Sequence, residues 1–245
     1  KGVCVVKNFV DKETSLLLKN SLLKTIETCL KKTLKNNFYE EKKFLIQKGP
    51  IKLKTYKELQ SYTKTVFHIR DTEEDKGFID IFNVDLLFKN EIFLHQILNS
   101  FDSIKIEEGL EKIIGKKIKR SGLNVYITPQ LEKTRCLHID SLNKDAKVFI
   151  YLSDVSNINK GPYGYVLGSH KYKLVYYLWM KLYKILPKLI VKNLKITDAV
   201  MYKTKDAHFF SGEPGTLICS LQNGAHRGFP QTSKNSRMVL VAHYE

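Results

Sequence analysis

The sequence predicts a mainly β protein with flanking helices: a double-stranded β-helix, or jelly roll, packed on N-terminal helices. Three observations point there. After Gly122 the chain breaks into short runs rich in β-branched and aromatic residues, separated by Gly and Pro turns. Before that point apolar residues recur at helical spacing. A chain of 245 residues with 43% hydrophobic composition can bury one substantial core, and no linker, repeat or low-complexity tract divides it.

Taken in order, Asp11 is placed to cap a first helix, along which Leu18, Leu22, Leu23, Ile26, Cys29 and Leu30 share a face. Further helices are expected near Lys89 to Asn99 and from Ile106 to Lys116, the second apolar at Leu110, Ile113 and Ile114. The N-terminal part, about 11–116, is thus expected to be mainly helical. Strands are expected at Leu123 to Thr128, Lys147 to Leu152, Gly164 to Leu167, Thr216 to Leu221 and Met238 to Tyr244, giving a jelly-roll core over about 122–245. An insert of about 171–205 interrupts them. It is aromatic, carries lysines at 181, 184, 188 and 192 on one helical face, and contains Pro187, which breaks a long helix. Three readings of it stay open: a packed insert, a substrate lid or pocket wall, and an interfacial membrane helix.

The formal charge of +16 comes mainly from lysine, with only Arg70, Arg120, Arg135, Arg227 and Arg237 as arginines. Specific readers of nucleic acid lean on arginine forks, so a solvated lysine surface is the simpler reading and a field that attracts anions the second. No apolar run reaches the length of a membrane span. Cys4, Cys29, Cys136 and Cys219 are widely spaced and form no Cys-X-X-Cys pair, so buried reduced thiols and a cytoplasmic setting are expected.

The most informative motif is His138-Ile139-Asp140, answered by His226 and then, eleven positions on, by Arg237. Residues two apart on a strand share a face, so His138 and Asp140 can reach one metal while Ile139 points into the apolar layer. With His226 supplied from the other sheet, two imidazoles and a carboxylate would occupy one side of the ion and leave the other open, as suits non-haem Fe(II). An arginine at a strand start can grip the far carboxylate of a dicarboxylic acid bidentately. Tyr126 and Thr128 lie on one strand face with Asn124. His68, His95, His170, His208 and His243 read as structural or surface histidines, and so do Arg70 and Arg135, although either arginine could anchor an anionic substrate.

With Val148–Val155 and the run Gly161-Pro-Tyr-Gly-Tyr-Val-Leu-Gly-Ser-His-Lys171 between its two halves, the chain resembles the phytanoyl-CoA dioxygenase (PhyH) family of Fe(II)/2-oxoglutarate-dependent oxygenases. The resemblance covers Asn124 to Tyr244 and, more faintly, Gly2 to Asp11, where a strand opens into a helix; from Asn36 to Arg120 there is no motif. It implies His138, Asp140 and His226 as iron ligands, Arg237 on the C5 carboxylate of the cosubstrate, and Tyr126 and Thr128 as further cosubstrate contacts. It also implies that O2 oxidatively decarboxylates 2-oxoglutarate to succinate and CO2 while a small-molecule substrate, anionic if the lysines serve it, is hydroxylated. His170 would lie in a structural turn. Gln231 and Gly228 depart from the family, Gly228 lacking a hydroxyl that some members place beside the C5 carboxylate. Two other functions stay open: a nucleic-acid dealkylating dioxygenase, whose C-terminal arginine motif is absent, and a non-catalytic basic binding module on a degenerate jelly roll.

Overall fold

The computed structural model describes residues 1–35, 44–49, 58–59, 61, 64–88, 92, 95, 104–187, 189–192 and 194–245. Strand β1 (Val3–Val6) leads into helix α1 (Lys12–Lys35), whose first turn is capped by Asp11: the Thr14 backbone N–H donates to Asp11 Oδ1 at 2.7 Å. There follow β2 (Phe44–Lys48), β3 (Thr65–Ile69), β4 (Ile79–Phe82) and α2 (Ile104–Ile114). Strands β5 (Arg120–Thr128), β6 (Ala146–Tyr151) and β7 (Tyr163–Tyr165) precede helix α3 (Lys173–Ile185). Strands β8 (His208–Phe210), β9 (Leu217–Leu221), β10 (His226–Gly228) and β11 (Arg237–Tyr244) complete the chain.

Eight strands form one sheet in the order β1-β9-β6-β11-β5-β4-β3-β2, antiparallel except for the β2–β3 pair, and β10-β7-β8 form a second. Strand alternation gives the large sheet two unlike faces. One face, with Val125, Val148, Ile150, Leu240 and Ala242, packs on Leu18, Leu22 and Ile26 of α1 and on Leu110 and Ile114 of α2. Truncating one of the leucines or isoleucines here to alanine costs about 2–5 kcal/mol. The other face meets the small sheet, where Phe149, Tyr151, Val239 and Val241 bury against Tyr163 and Tyr165. Hydrogen bonds tie the layers as well, since Tyr151 donates to the Phe210 carbonyl (2.7 Å) and accepts from the Tyr163 N–H (2.9 Å).

Two expectations require correction. The N-terminal part is not helical throughout: besides α1 and α2 it supplies β2, β3 and β4, which extend the large sheet beyond β5. Thr65, Val66, Phe67 and His68 are all buried, so no clean alternation marks β3 in the sequence. Cys4, Cys136 and Cys219 are free, but Cys4 and Cys136 are exposed and Cys219 is half-buried; the Cys29 side chain lies outside the described residues. The helix expected at Lys89 to Asn99 falls largely outside them too. Within the insert, α3 ends at Leu186, whose extended backbone is what the following Pro187 imposes.

Candidate metal centre

Three side chains converge where the small sheet meets the loop after β5. His138 does not sit in a regular strand but in a bridged segment: its N–H donates to the His226 carbonyl (3.0 Å) and His226 returns the bond (2.9 Å). The expectation that His226 arrives from the opposite sheet is therefore corrected, because the two histidines are direct cross-strand neighbours. On the other side Ile139 N–H donates to Thr197 O and Ala199 N–H to Leu137 O, while Asp140 N–H donates to Gln222 O at 3.0 Å. Backbone bonds thus position both members of the His138-Ile139-Asp140 motif, and Ile139 is buried as expected.

The two rings are held alike. His138 Nδ1 lies 2.9 Å from the Cys136 carbonyl and His226 Nδ1 lies 2.9 Å from the Gly224 carbonyl. A carbonyl can only accept, so each Nδ1 carries the proton and each Nε2 presents its lone pair inward. His138 Nε2 is 3.6 Å from Asp140 Oδ1, and His226 Nε2 is 3.5 Å from Asp140 Oδ2. The three donor atoms lie within 4.8 Å of one another. Gly224 is required here: a Cβ on it would come 1.9 Å from the Tyr165 hydroxyl oxygen, and its carbonyl orients His226.

Electrostatics favour the ligand forms. Burial, reinforced by the Arg135 guanidinium and by His226, holds His138 well below the usual histidine range, so it is neutral and free to ligate. For Asp140 burial works against the charge, but the Lys147 ammonium overcomes it and the carboxyl is held well below its ordinary value. Lys147 is the residue that the motif search missed. It sits on the inner face of β6, two places before Phe149, and its Nζ lies 2.5 Å from Asp140 Oδ2. The signal was present as a lysine at an inward position of an otherwise apolar strand.

Arg237 opens β11 opposite Thr128 of β5 and is buried. It donates to Thr128 Oγ1 (2.8 Å) and to the Gly161 carbonyl, while its Nε is buried with no partner among the described residues. A Cβ on Gly228 would stand 3.4 Å from the guanidinium, so the missing side chain leaves that flank of Arg237 open. Tyr126 shares the inner face with Asn124 and Thr128, its hydroxyl 3.5 Å from His243 Nε2. Four of the remaining histidines behave as follows. His68 binds Asp80 (3.1 Å), His243 contacts Asn124 (3.0 Å), His208 is exposed, and His170 lies in the turn after Gly168. Arg70 is spent on Asp75 and Asp80, whereas Arg135 bonds Thr197 beside the metal centre.

No protein-family model and no curated protein matches this sequence. Solved structures do resemble it. The non-heme alpha-ketoglutarate-dependent carbocyclase SnoK from nogalamycin biosynthesis aligns with a TM-score of 0.59 at 12% identity, covering 100% of this chain and 79% of its own. The epimerase SnoN, in complex with Fe3+, alpha ketoglutarate and nogalamycin RO, aligns at 0.54 and 12% identity, covering 99% and 78%. EvdO2 from Micromonospora carbonacea var. aurantiaca, complexed with 2-oxoglutarate, aligns at 0.55 and 11% identity, covering 100% and 86%. At such identities the likeness speaks for the fold alone, a double-stranded β-helix with helices packed on its large sheet.

Proposed function

We propose that this chain is an Fe(II)/2-oxoglutarate-dependent oxygenase, akin to the phytanoyl-CoA dioxygenase family, that hydroxylates a small anionic molecule. The observation that carries the reading is the convergence of two inward-facing Nε2 atoms and one carboxylate on a single point. Two nitrogens and one oxygen on one side suit ferrous iron and leave room for further ligands. The Lys147 ammonium keeps that carboxylate ionised, the form that ligates a metal. For the cosubstrate, the open flank beside Gly228 and the unpartnered Nε of Arg237 fit a second carboxylate some distance from the metal.

In this reading His138, Asp140 and His226 hold the metal, and the carbonyls of Cys136 and Gly224 keep the imidazoles aimed at it. Arg237 and Thr128 bind the far carboxylate of 2-oxoglutarate, and Tyr126 borders it on the same strand face. Bound iron supplies the O2 chemistry that couples decarboxylation of the cosubstrate to oxidation of a substrate C–H bond. The aromatic layer of Phe149, Tyr151 and Tyr163 keeps water from that region. Arg135, beside His138 and partly exposed, is placed to meet a negative group on the substrate.

Anaerobic titration of the purified protein with Fe(II) and 2-oxoglutarate tests the proposal through the weak metal-to-ligand charge-transfer absorption of the ternary complex. A band that vanishes in His226→Ala, together with succinate release in air, supports it. Absence of the band in the wild-type protein at saturating iron and cosubstrate refutes it.

A further inference from the structure

Helix α3 has two apolar faces, and only one is used. Tyr176, Trp179, Met180 and Tyr183 form the stripe turned to the protein. Tyr176 is 1% exposed, Met180 packs with Leu137, Ile139 and Ala225, and Tyr183 donates to the Leu194 carbonyl at 3.0 Å. On the opposite side Leu174, Leu178, Leu182 and Ile185 follow each other at helical spacing with 68%, 56%, 46% and 80% exposure. Beyond Pro187, Leu189 (85%) and Ile190 (64%) continue the patch. Isolated exposed leucines are ordinary, but a contiguous stripe of this kind marks a surface meant to be covered.

The charge beside the stripe indicates by what. Lys173, Lys181 and Lys184 lie along its flank, and Lys192 stands near its end, all exposed. Between Asp154 and Asp198 the sequence contains no acidic residue. Such a face would bring lysines against lysines if it met a second copy of this chain, whose net charge is already +16. A layer with a negative surface and an apolar interior satisfies both halves at once. Tyr172 and Tyr177, both exposed, add the amphipathic rings that settle at such a boundary. At 13 residues α3 spans only about 20 Å, and no described helix is long and apolar enough to cross a membrane, so the helix would lie in the plane of the interface.

We propose that α3, with Leu189, Ile190 and Lys192 beyond it, forms a docking surface for anionic lipid bilayers, with the apolar stripe entering the acyl boundary and the lysines meeting the headgroups. Because Met180 and Tyr176 pack on the residues that flank His138 and His226, docking would bring the candidate metal centre to within one helix of the lipid. The proposal does not depend on which reaction that centre performs.

Co-sedimentation with vesicles tests it. The wild-type protein should pellet with phosphatidylcholine mixed with phosphatidylserine, and much less with phosphatidylcholine alone or at high salt. Lys181→Gln and Lys184→Gln should each weaken binding about fivefold. The double variant Leu178→Glu, Ile185→Glu should weaken it roughly tenfold or more. All four side chains are exposed, so unchanged melting temperatures are expected and exclude misfolding as the cause. Failure of the wild-type protein to bind anionic vesicles overturns the proposal. So does undiminished binding by the Leu178→Glu, Ile185→Glu variant, which would reduce the effect to adsorption by charge. A wild-type dimer in solution that the same variant converts to monomer would assign the face to a second copy and overturn it as well.

Discussion

The Lys147 ammonium lies 2.5 Å from Asp140 Oδ2, so the carboxylate at the candidate metal centre is paired with a cation from the neighbouring strand β6. The Asp140 side chain keeps 28% of its exposure and Lys147 11%, which makes this a largely desolvated pair. Such a pair is held by mutual compensation: removing one partner leaves the other charged and poorly solvated.

Lys147→Met is accordingly expected to destabilise the metal-free protein by about 3 kcal/mol. A divalent ion can then take over the lost compensation, so added metal should raise the melting temperature more in the variant than in the wild type. Thermal melts with and without Co(II) or Fe(II) check both parts. An equal metal-induced shift in the two proteins would mean that the ammonium and the metal do not share Asp140.

Arg237→Lys keeps the charge but loses the fork that reaches Thr128 and the Gly161 carbonyl. Affinity for 2-oxoglutarate should fall by about tenfold or more, while metal affinity stays as in the wild type. Calorimetric titration of cosubstrate into the metal-loaded protein measures the first, and metal titration the second. Loss of metal binding instead would show that Arg237 supports the centre itself.

The stability of the metal-free protein should fall with acidification. Burial, with Arg135 and His226 for His138 and with Lys147 for His243, holds both histidines well below their ordinary value of 6.5. The unfolded chain therefore takes up protons first as pH drops: the contribution is complete above 6.5 and is lost as pH falls from there toward the folded-state values. Each histidine adds at most about 1.4 kcal/mol per pH unit to the slope. Urea unfolding of wild type and His243→Asn between about pH 7 and 5 isolates one share, and equal slopes would contradict the assignment.

Cys4 and Cys219 stand directly opposite each other in the β1–β9 pair. The hydrogen bond from Cys219 lowers the Cys4 thiol to about 6, and the same bond, with burial, pushes Cys219 up. Alkylation of exposed Cys4 by iodoacetamide should rise with a midpoint near 6, and Cys219→Ala should move that midpoint toward about 8.5. Mass spectrometry of the labelled peptide across pH provides the reading.

Local patterns made much of the fold legible. Runs of β-branched and aromatic residues identified β5, β6, β9 and β11 to within three residues, because each packs one face on helices and the other on aromatic side chains. It failed at β3, where both faces are buried and periodicity vanishes, and at the short strands β8 and β10, whose existence depends on pairing with β7. The insert was read as aromatic and basic, but its composition could not say which apolar residues of α3 turn inward.

By itself the sequence determined the chemical types available at the centre and the fold class that could bring them together. His138 and Asp140 two apart, a distant His226 and an arginine at a strand start are constraints that ligation writes into residue identity and spacing. Tertiary structure alone decided that His138 pairs with His226 backbone to backbone, that Lys147 turns inward to Asp140, and that Gly228 leaves one flank of Arg237 open. The physical reason is that these relations depend on register between strands far apart in the chain, and a one-residue slip in register would turn each of these side chains to the other face.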